Sequence, residues 1–279
     1  MKVNKSVEEL LKEYESNEVI FIRGLDKKKY SPQKINYWRK QGCLKSVCHG
    51  IICAPDKDSI NTERCIADFV RQFGYSIRIS ASSALALYGY KVPALQDNAL
   101  VVSMGEHFNN VPEWVSSRML NRPIYMFRTN LFPMPETKMI EHNGAKLPVS
   151  SLEEALMECI MLASTKCYHY DDVYTVFKQV DDLRANVVQR LLETMTNKKA
   201  KRMFLFMSEN LDKPWFSKLN LEKIQLGKGV YAAAKRGRLV SKYHLIVPKS
   251  IYANGEFEKN PEKCGLKKRG RKKKEENND

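Results

Sequence analysis

Residues 31–55, SPQKINYWRKQGCLKSVCHGIICAP, constrain the fold more than any other stretch of the chain. Ser31 is a good N-cap, and Pro32 suits the first helical position, where no backbone donor is needed. Gly42 favours the end of that helix. Two short β-prone runs follow, and Gly50 between them can supply the positive φ of a hairpin turn. The stretch therefore predicts a short basic helix followed at once by a two-stranded ribbon.

The two faces of this helix differ in chemistry. Ile35 and Trp38 stand three residues apart, so they share a face that can pack on a core. Lys34, Arg39 and Lys40 project elsewhere, and no acid interrupts them. A basic helix joined to a β wing is how winged helix-turn-helix proteins bind DNA. We therefore look for function here first.

The whole chain is basic. Its 279 residues hold 47 Lys and Arg against 32 Asp and Glu, which gives a net charge of +15 and a pI near 9.4. Eight basic residues and one acid fall between residues 19 and 50. This balance favours an anionic partner such as nucleic acid, and a merely solvated face is the plainer alternative. Seven irregularly spaced cysteines without a signal peptide predict a cytoplasmic protein, and no apolar run is long enough for a membrane span.

Changes in composition and hydrophobic pattern along the chain predict an α+β fold in three parts. Residues 1–56 are expected to form a winged helix-turn-helix DNA-binding domain, beginning with a helix over 5–15. Residues 57–254 read as a larger mixed α/β domain with a helical C-terminal half. Residues 255–279 read as a disordered basic tail, because they have too little apolar content to build a core.

Periodicity gives the elements of the larger domain. The predicted helices cover about 62–73, 80–87, 149–162, 170–180, 186–194 and 199–209, and the predicted strands cover 99–103 and 123–129. A short basic helical piece ending at Gly237 and a strand over 243–247 close the domain.

In the tail, Arg269-Gly270-Arg271 is similar to the centre of an AT-hook. Lys272 replaces the proline expected there, which favours generic phosphate binding or solubilisation.

Signatures of catalysis and metal binding are mostly missing, and we expect no cofactor. The phosphate-binding loop GxxxxGK[ST], the zinc-protease motif HExxH and the GxSxG elbow do not occur. Glu136 and Lys138 are spaced like part of a nuclease site, which would also need Asp97. Because they lie in a proline-flanked stretch expected to be a loop, we interpret this spacing as a chance match. The residues that might suggest zinc lack the short Cys pairs of a structural site; they are Cys43, Cys48, His49, Cys53 and Cys65.

Basic residues also gather near the C-terminal end of the larger domain, where they form a candidate surface for a protein partner or nucleic acid. The first group lies in the opening turns of a helix whose later part is apolar, so a core helix with a solvated start is the plainer interpretation. The second group lies in a stretch without acids. The two groups are Lys198, Lys199, Lys201 and Arg202, then Lys228, Lys235, Arg236, Arg238 and Lys242.

Several separated pieces of the chain together resemble the AbiEi antitoxins of bacterial type IV (abortive-infection) toxin–antitoxin systems. The resemblance runs from about residue 19 to 250. The pieces are INYWRKQGCL at 35–44 with HGI at 49–51, SALALYGY at 83–90, VSSLEEAL at 149–156, LGKG at 226–229, and KY to VP at 242–248. Two positions depart from the family pattern. His49 replaces the usual Arg before the turn glycine, and Ile51 replaces the aromatic after it.

The resemblance implies a DNA-binding N-terminal domain and repression of the protein's own operon through inverted repeats in its promoter. It implies a C-terminal domain needed for antitoxin action against an AbiEii-like toxin, which resembles a nucleotidyltransferase, with direct binding left open. We also expect no enzymatic activity and no membrane partner, because catalytic motifs and a long apolar run are missing from the sequence. The basic and polar residues on and around the predicted helix and wing give the predicted DNA contacts, which are Lys27, Lys28, Lys29, Gln33, Lys34, Asn36, Tyr37, Arg39, Lys40, Lys45 and His49. Base readout is expected from Gln33, Asn36 and Arg39.

Two alternatives remain open at this point. The chain could be a nuclease-like enzyme that uses a winged helix as a targeting module. It could also be a ligand-sensing winged-helix transcriptional regulator without a toxin.

Overall fold

The computed structural model of the protein describes residues 5–74, 77–90, 98–105, 111–163, 168–253 and 255–259. The chain divides into two compact units, residues 1–158 and 159–279, with the boundary inside the helix Leu152–Leu162. Each unit combines helices with at least one β-sheet, so the class is mixed α/β. Among the described residues, no helix is both long and apolar enough to cross a bilayer.

The first unit begins with residues 5–53, which we call the N-terminal module. Its strands form a three-stranded antiparallel sheet in the order β1-β3-β2, and Gly50 takes a φ of +76° in the turn between β2 and β3. The elements are α1 (Lys5–Glu13), β1 (Ile20–Phe21), α2 (Pro32–Lys40), β2 (Lys45–Cys48) and β3 (Ile51–Cys53).

The residues predicted to begin and end α2 take the expected conformations. The Ser31 hydroxyl accepts a hydrogen bond from the Lys34 backbone N–H at 3.4 Å, and Pro32 occupies the first turn. Gly42 follows the helix with a φ of +70°, a left-handed conformation that glycine adopts without steric cost. The start and end of α2 are therefore fixed by residues next to it in sequence.

A hydrophobic cluster of its own holds the N-terminal module together. Trp38 is 1% exposed, and its ring meets that of Tyr30 edge-on with centroids 6.3 Å apart. Burial of each large apolar side chain contributes about 1.5–3 kcal/mol. The prediction that Ile35 and Trp38 face a core is confirmed. The buried members are Val7, Leu10, Ile20, Leu25, Tyr30, Ile35, Trp38, Leu44 and Ile52.

The rest of the first unit is built around a five-stranded mixed sheet in the order β6-β5-β4-β8-β7. The predicted helices over 62–73 and 80–87 and the predicted strands over 99–103 and 123–129 are confirmed to within one residue at each end. The elements are α3 (Thr62–Phe73), β4 (Ile77–Ile79), α4 (Ala81–Leu87), β5 (Leu100–Met104), β6 (Ile124–Arg128), β7 (Thr137–His142) and β8 (Ala145–Ser150).

The β7–β8 hairpin is a correction to the sequence analysis. Thr137 and Lys138 begin an edge strand rather than lying in a loop, and Val149 and Ser150 end β8 instead of starting a helix. Cross-strand pairing from Thr137↔Ser150 to His142↔Ala145 overrides the local proline signals. The helix α5 (Leu152–Leu162) begins one residue after Ser151, whose hydroxyl accepts from the Glu154 N–H.

The second unit packs three consecutive helices with a small three-stranded sheet in the order β10-β11-β9. The three helices are predicted to within one residue, and these predictions are confirmed. The elements are α6 (Tyr170–Gln179), α7 (Ala185–Thr194), α8 (Lys198–Asn210), β9 (Tyr231–Ala232), β10 (Arg238–Val240), β11 (Leu245–Val247), α9 (Lys249–Tyr252) and α10 (Glu256–Lys259).

Two predictions for the second unit are wrong. No helix ends at Gly237, because β9 and β10 both pair with β11 and leave only a turn between them. Gly237 approaches β11 so closely that an added Cβ would lie 2.1 Å from the Val247 carbonyl oxygen. Residues 255–259, assigned to a disordered tail, are folded: Phe257 is fully buried and stacks on Phe206 at 5.5 Å. The AT-hook-like segment lies outside the described residues.

Candidate nucleic-acid interface

The helix α2 separates an apolar inner face from a polar outer face. Ile35 and Trp38 point into the cluster of the N-terminal module. Every other side chain from Gln33 to Lys40 is exposed, and Tyr37 has 55% of its surface accessible. The structure thus places six of the predicted DNA contacts on one exposed helix face; they are Gln33, Lys34, Asn36, Tyr37, Arg39 and Lys40.

The last turn of α2 and the start of β2 line one groove. Its volume is about 490 Å³, and its walls are Asn36, Arg39, Lys40, Leu44, Lys45 and Ser46. Four predicted contacts from two different elements therefore meet at a single surface. The tight turn at Gly42 brings the elements together, because the chain reverses there within a few residues.

Arg39 and Lys40 carry charge that the described part of the protein does not neutralise. The Arg39 guanidinium donates to the Asn36 side-chain oxygen at 3.3 Å, which is a bond to a neutral group. Neither cation forms an ion pair with a described residue. This Asn–Arg contact orients the guanidinium along the helix while leaving most of its donors available.

The basic run before α2 is partly neutralised. Lys27, Lys28 and Lys29 are all exposed, but the Lys29 ammonium lies 2.7 Å from Glu13 Oε2 on α1. That contact raises the pKa of Lys29 and lowers the pKa of Glu13. A DNA phosphate would have to compete with Glu13 for Lys29, whereas Lys27 and Lys28 carry no ion pair to a described residue.

The β2–β3 hairpin places its two predicted contacts differently. His49 is exposed at the tip beside Gly50. Lys45 is half-buried at the base, where its ammonium donates to the Lys57 carbonyl at 2.8 Å and to Asp58 at 3.0 Å. The hairpin is supported from behind by the Ser117 hydroxyl, which donates to the Val47 carbonyl. Lys45 and Val47 therefore attach the hairpin to the rest of the first unit.

Contacts that sequence reasoning missed anchor the N-terminal module to α3. Asp68 Oδ2 accepts from the backbone N–H groups of Glu18 at 2.6 Å and Val19 at 3.0 Å. The Gln72 amide bonds to both the N–H and the carbonyl of Phe21. Each donor and acceptor lies about fifty residues away in sequence, so no local pattern signals them. They hold α2 and the hairpin in a fixed orientation on the first unit.

The candidate surface of basic residues near the C-terminal end of the larger domain is only partly exposed, so this prediction is corrected. Lys201 is 3% exposed and Arg202 is fully buried, so neither belongs to a surface. The Arg202 guanidinium donates to backbone carbonyls of residues 226–229 and of His244, at 2.7–3.4 Å. The Lys201 ammonium donates to the Gln225 carbonyl at 3.3 Å. Both cations stabilise the chain that follows α8.

The remaining basic residues of the second unit differ in accessibility. Lys199 is half-buried, and burial lowers its pKa. Lys242 is exposed but lies 2.5 Å from Glu209 Oε1. Of the basic residues predicted for this surface, those that are exposed and form no ion pair with a described residue are Lys198, Lys228, Lys235, Arg236 and Arg238.

Within the described ranges, no cluster of His, Cys, Asp or Glu is arranged to hold a metal ion. Cys43, Cys48, Cys53 and Cys65 all carry free thiols. Burial is the main cause that raises the pKa of the Cys48, Cys53 and Cys65 thiols, so they are less reactive than an exposed cysteine.

Comparison with known proteins identifies a family and shows a similar fold. A family model described as "Transcriptional regulator, AbiEi antitoxin, Type IV TA system" matches residues 98–248, which is more than half of the chain and lies outside the N-terminal module. The crystal structure of the RV2827C protein from Mycobacterium tuberculosis is similar with a TM-score of 0.55 and 12% identity, covering 88% of this chain and 92% of that one. At this identity the likeness concerns the fold alone. No curated protein matches the chain.

Proposed function

Because the chain belongs to the family of AbiEi antitoxins and transcriptional regulators of type IV toxin–antitoxin systems, we propose that it binds inverted repeats in its own promoter and represses that operon. We further propose that it counteracts a nucleotidyltransferase-like toxin encoded beside it. In this proposal residues 5–53 are a winged helix-turn-helix, the remainder carries the antitoxin action, and the protein acts by binding rather than by catalysis.

One observation carries the DNA-binding proposal: the exposed face of α2 presents Arg39 and Lys40, which form no ion pair within the described part of the chain, beside the first residues of β2. The major groove of B-DNA is about 12 Å wide and accepts an α-helix. A nine-residue helix such as α2 is about 13 Å long, so it can lie in one groove and reach phosphates at its ends. In a winged helix-turn-helix, α2 is the recognition helix and the hairpin is the wing.

The proposed contacts divide by chemistry. Lys34, Arg39 and Lys40 supply positive charge for phosphates, and Arg39 also has the paired donors that recognise guanine. Gln33 and Asn36 carry amides of the kind that recognise adenine. Lys27 and Lys28 would contact backbone ahead of the helix, and His49 would contact backbone from the tip of the wing. Lys29 and Lys45 are secondary, since each is already held by an acid of the first unit.

The DNA-binding proposal is tested by band-shift titration of the protein's own upstream DNA. The R39E/K40E variant reverses two charges on α2, and K218E/K223E reverses two exposed charges on the second unit as a matched control. We expect R39E/K40E to weaken binding by at least a hundredfold and the control to change it by less than threefold. Equal affinity of wild type and R39E/K40E would remove α2 as the recognition helix.

The antitoxin proposal is tested by co-expressing the adjacent toxin and following cell growth. R39E/K40E should still neutralise the toxin supplied from a separate promoter, because the proposed antitoxin action lies outside α2. Loss of neutralisation in a variant that folds normally would contradict this division of roles.

A further inference from the structure

A small cavity lies beside the start of α3, within the first unit. Its volume is about 110 Å³, which is the space of about four water molecules, so it suits a ligand of few non-hydrogen atoms. We call it the α3 cavity. Its ionisable lining is Glu63, Arg122 and His142, and its buried apolar lining is Ile79, Leu100 and Leu147.

Glu63 lines the α3 cavity with an acid that is only partly satisfied. Its side chain is 2% exposed, and both of its contacts fall on Oε1: the Asn143 amide donates to it at 3.1 Å, and the Arg122 guanidinium lies 3.5 Å away. No described residue donates to Oε2. A buried carboxylate is stabilised by charged donors, so an ammonium group would complete its contacts.

Arg122 provides a cation next to this acid. Its Nε donates to the Asn98 carbonyl at 2.7 Å and its Nη1 is the atom nearest Glu63, so Nη2 has no partner among the described residues. The His142 imidazole also lines the cavity and forms no hydrogen bond with a described residue. In an α-amino acid the ammonium and carboxylate are attached to one carbon. They can therefore contact an acid and a base that lie as close together as Glu63 and Arg122.

The apolar lining limits the size of the ligand. Ile79, Leu100 and Leu147 are each no more than 3% exposed, and Ala86 contributes a methyl group from α4. A cavity of this volume has space for a short aliphatic side chain but not for an aromatic one. A small pocket with apolar walls and a few convergent polar groups is the usual composition of a small-molecule site.

The helix that begins at the α3 cavity also holds the N-terminal module. Arg64, next to Glu63, lies 3.8 Å from the carboxylate of Glu18. Farther along α3, Asp68 and Gln72 bond to the backbone of residues 18–21. A ligand on Glu63 stabilises the arrangement in which α3 makes these contacts, because binding favours the state that binds. That arrangement holds α2 in place for DNA.

We propose that the α3 cavity binds a free α-amino acid with a short aliphatic side chain, and that the bound amino acid strengthens promoter binding through α3. The ammonium contacts Glu63 Oε2 and the carboxylate contacts Arg122. The regulatory part rests on the proposed function, because that function supplies promoter DNA. It deepens that function by naming the class of ligand that controls it.

Isothermal titration of the full-length protein with L-alanine tests the site. We expect saturable binding with a Kd of about 1 mM or tighter. Propionate and ethylammonium each lack one of the two charges and should bind at least tenfold more weakly. Glu63→Gln should also weaken L-alanine binding at least tenfold, and so should Ala86→Leu, which fills the cavity and keeps its charges. Glu141→Gln, at an exposed position of β7 outside the lining, is the matched control and should keep wild-type affinity.

Band-shift titration of the upstream DNA tests the regulation. L-alanine at about 20 mM, well above the expected Kd, should tighten promoter binding by the wild-type protein at least threefold. It should have no effect on Ala86→Leu, whose cavity is filled. Circular dichroism and Tm establish that each variant is folded.

Three results would overturn the proposal: no saturable heat up to about 20 mM L-alanine, equal affinity of wild type, Glu63→Gln and Ala86→Leu, or equal affinity for L-alanine and its singly charged analogues. Saturable binding that leaves promoter affinity unchanged or lower overturns it too. A wild-type protein that fails to bind the promoter with or without L-alanine contradicts the proposed function instead. The calorimetric titration then still decides whether the α3 cavity binds the amino acid.

Discussion

The helices α2 and α8 both carry clustered Lys and Arg, yet the structure uses their charges in opposite ways. On α2 only Ile35 and Trp38 are buried, and its exposed cations have no acidic partner among the residues that the structure describes. On α8 almost every side chain is buried, and Lys201 and Arg202 donate inward to backbone carbonyls. A basic run on a helix is therefore a candidate ligand surface only when enough of the helix faces solvent.

The largest expected difference between the two helices is in stability. Arg202→Ala would leave the carbonyls of the 226–229 loop and of His244 without a donor, and it would open a cavity beside Tyr231. We expect the free energy of unfolding to fall by about 3–5 kcal/mol, measured by urea titration. Arg202→Lys should recover only part of this loss, because an ammonium cannot reproduce the planar fork of donors.

The matched control on the same helix is Lys198→Ala, which removes an exposed cation. It should change the unfolding free energy by less than about 0.5 kcal/mol. Arg39→Ala on α2 should behave in the same way. A loss of comparable size in all three variants would mean that the contrast between buried and exposed cations is not real.

The contrast between buried and exposed charged residues also applies to acids, where it makes the stability of the fold depend on pH. Glu154 on α5 is fully buried; its Oε1 accepts from the Glu136 N–H at 2.6 Å, and no described residue forms a hydrogen bond with its Oε2. Burial raises its pKa from 4.5 to about 7. The folded state thus binds this proton more tightly than the unfolded state, and this group makes stability fall as pH rises from about 4.5 to 7.

Glu154→Gln should remove that part of the pH dependence. Its amide oxygen can still accept from Glu136, and no charge forms at high pH. We expect the variant to match wild type near pH 4.5 and to exceed it by about 3 kcal/mol at pH 8, measured by urea titration across that range. Glu141→Gln, at an exposed position on β7, is the control and should leave the curve unchanged. Parallel curves for wild type and Glu154→Gln would show that Glu154 is charged in the folded protein.

A smaller effect is expected at the exposed pair of Lys29 and Glu13. Glu13→Gln removes the acid that neutralises Lys29 and should raise affinity for promoter DNA about threefold, because a free ammonium can contact phosphate. Exposed ion pairs contribute little to stability, so the Tm should barely change. Glu9→Gln on the same helix is the control for general charge. If both variants raise affinity equally, Lys29 makes no specific contact.

The elements that sequence predicted best are those fixed by adjacent residues. Ser31, Pro32 and Gly42 define α2 locally, and the periodicity of α3 and α6–α8 located each of those helices. The β7–β8 hairpin was missed although Asn143-Gly144 is a strong turn signal; both residues take positive φ. The nearby prolines favour a loop around residue 137, and the acids of α5 favour a helix that starts at residue 149, so local signals hide the two strands.

The roles of the buried charges were beyond local reasoning. In the sequence, Arg202 cannot be told apart from the other basic residues near the start of α8. The carbonyls that accept its hydrogen bonds belong to residues 226–244, at least twenty-four positions later. The attachment of the N-terminal module by Asp68 and Gln72 is equally non-local. On α2, by contrast, exposure could be read from the spacing of Ile35 and Trp38, because that helix has one short apolar stripe.

The salt dependence of promoter binding tests most directly whether the exposed cations of α2 contact DNA. A plot of log K against log salt falls more steeply as more phosphates are neutralised, by about 0.9 per contact. Removing two contacts in R39A/K40A should reduce the steepness by about 2, whereas K218A/K223A should leave it unchanged. An unaltered slope for R39A/K40A would contradict the assignment of α2 as the DNA-contacting helix.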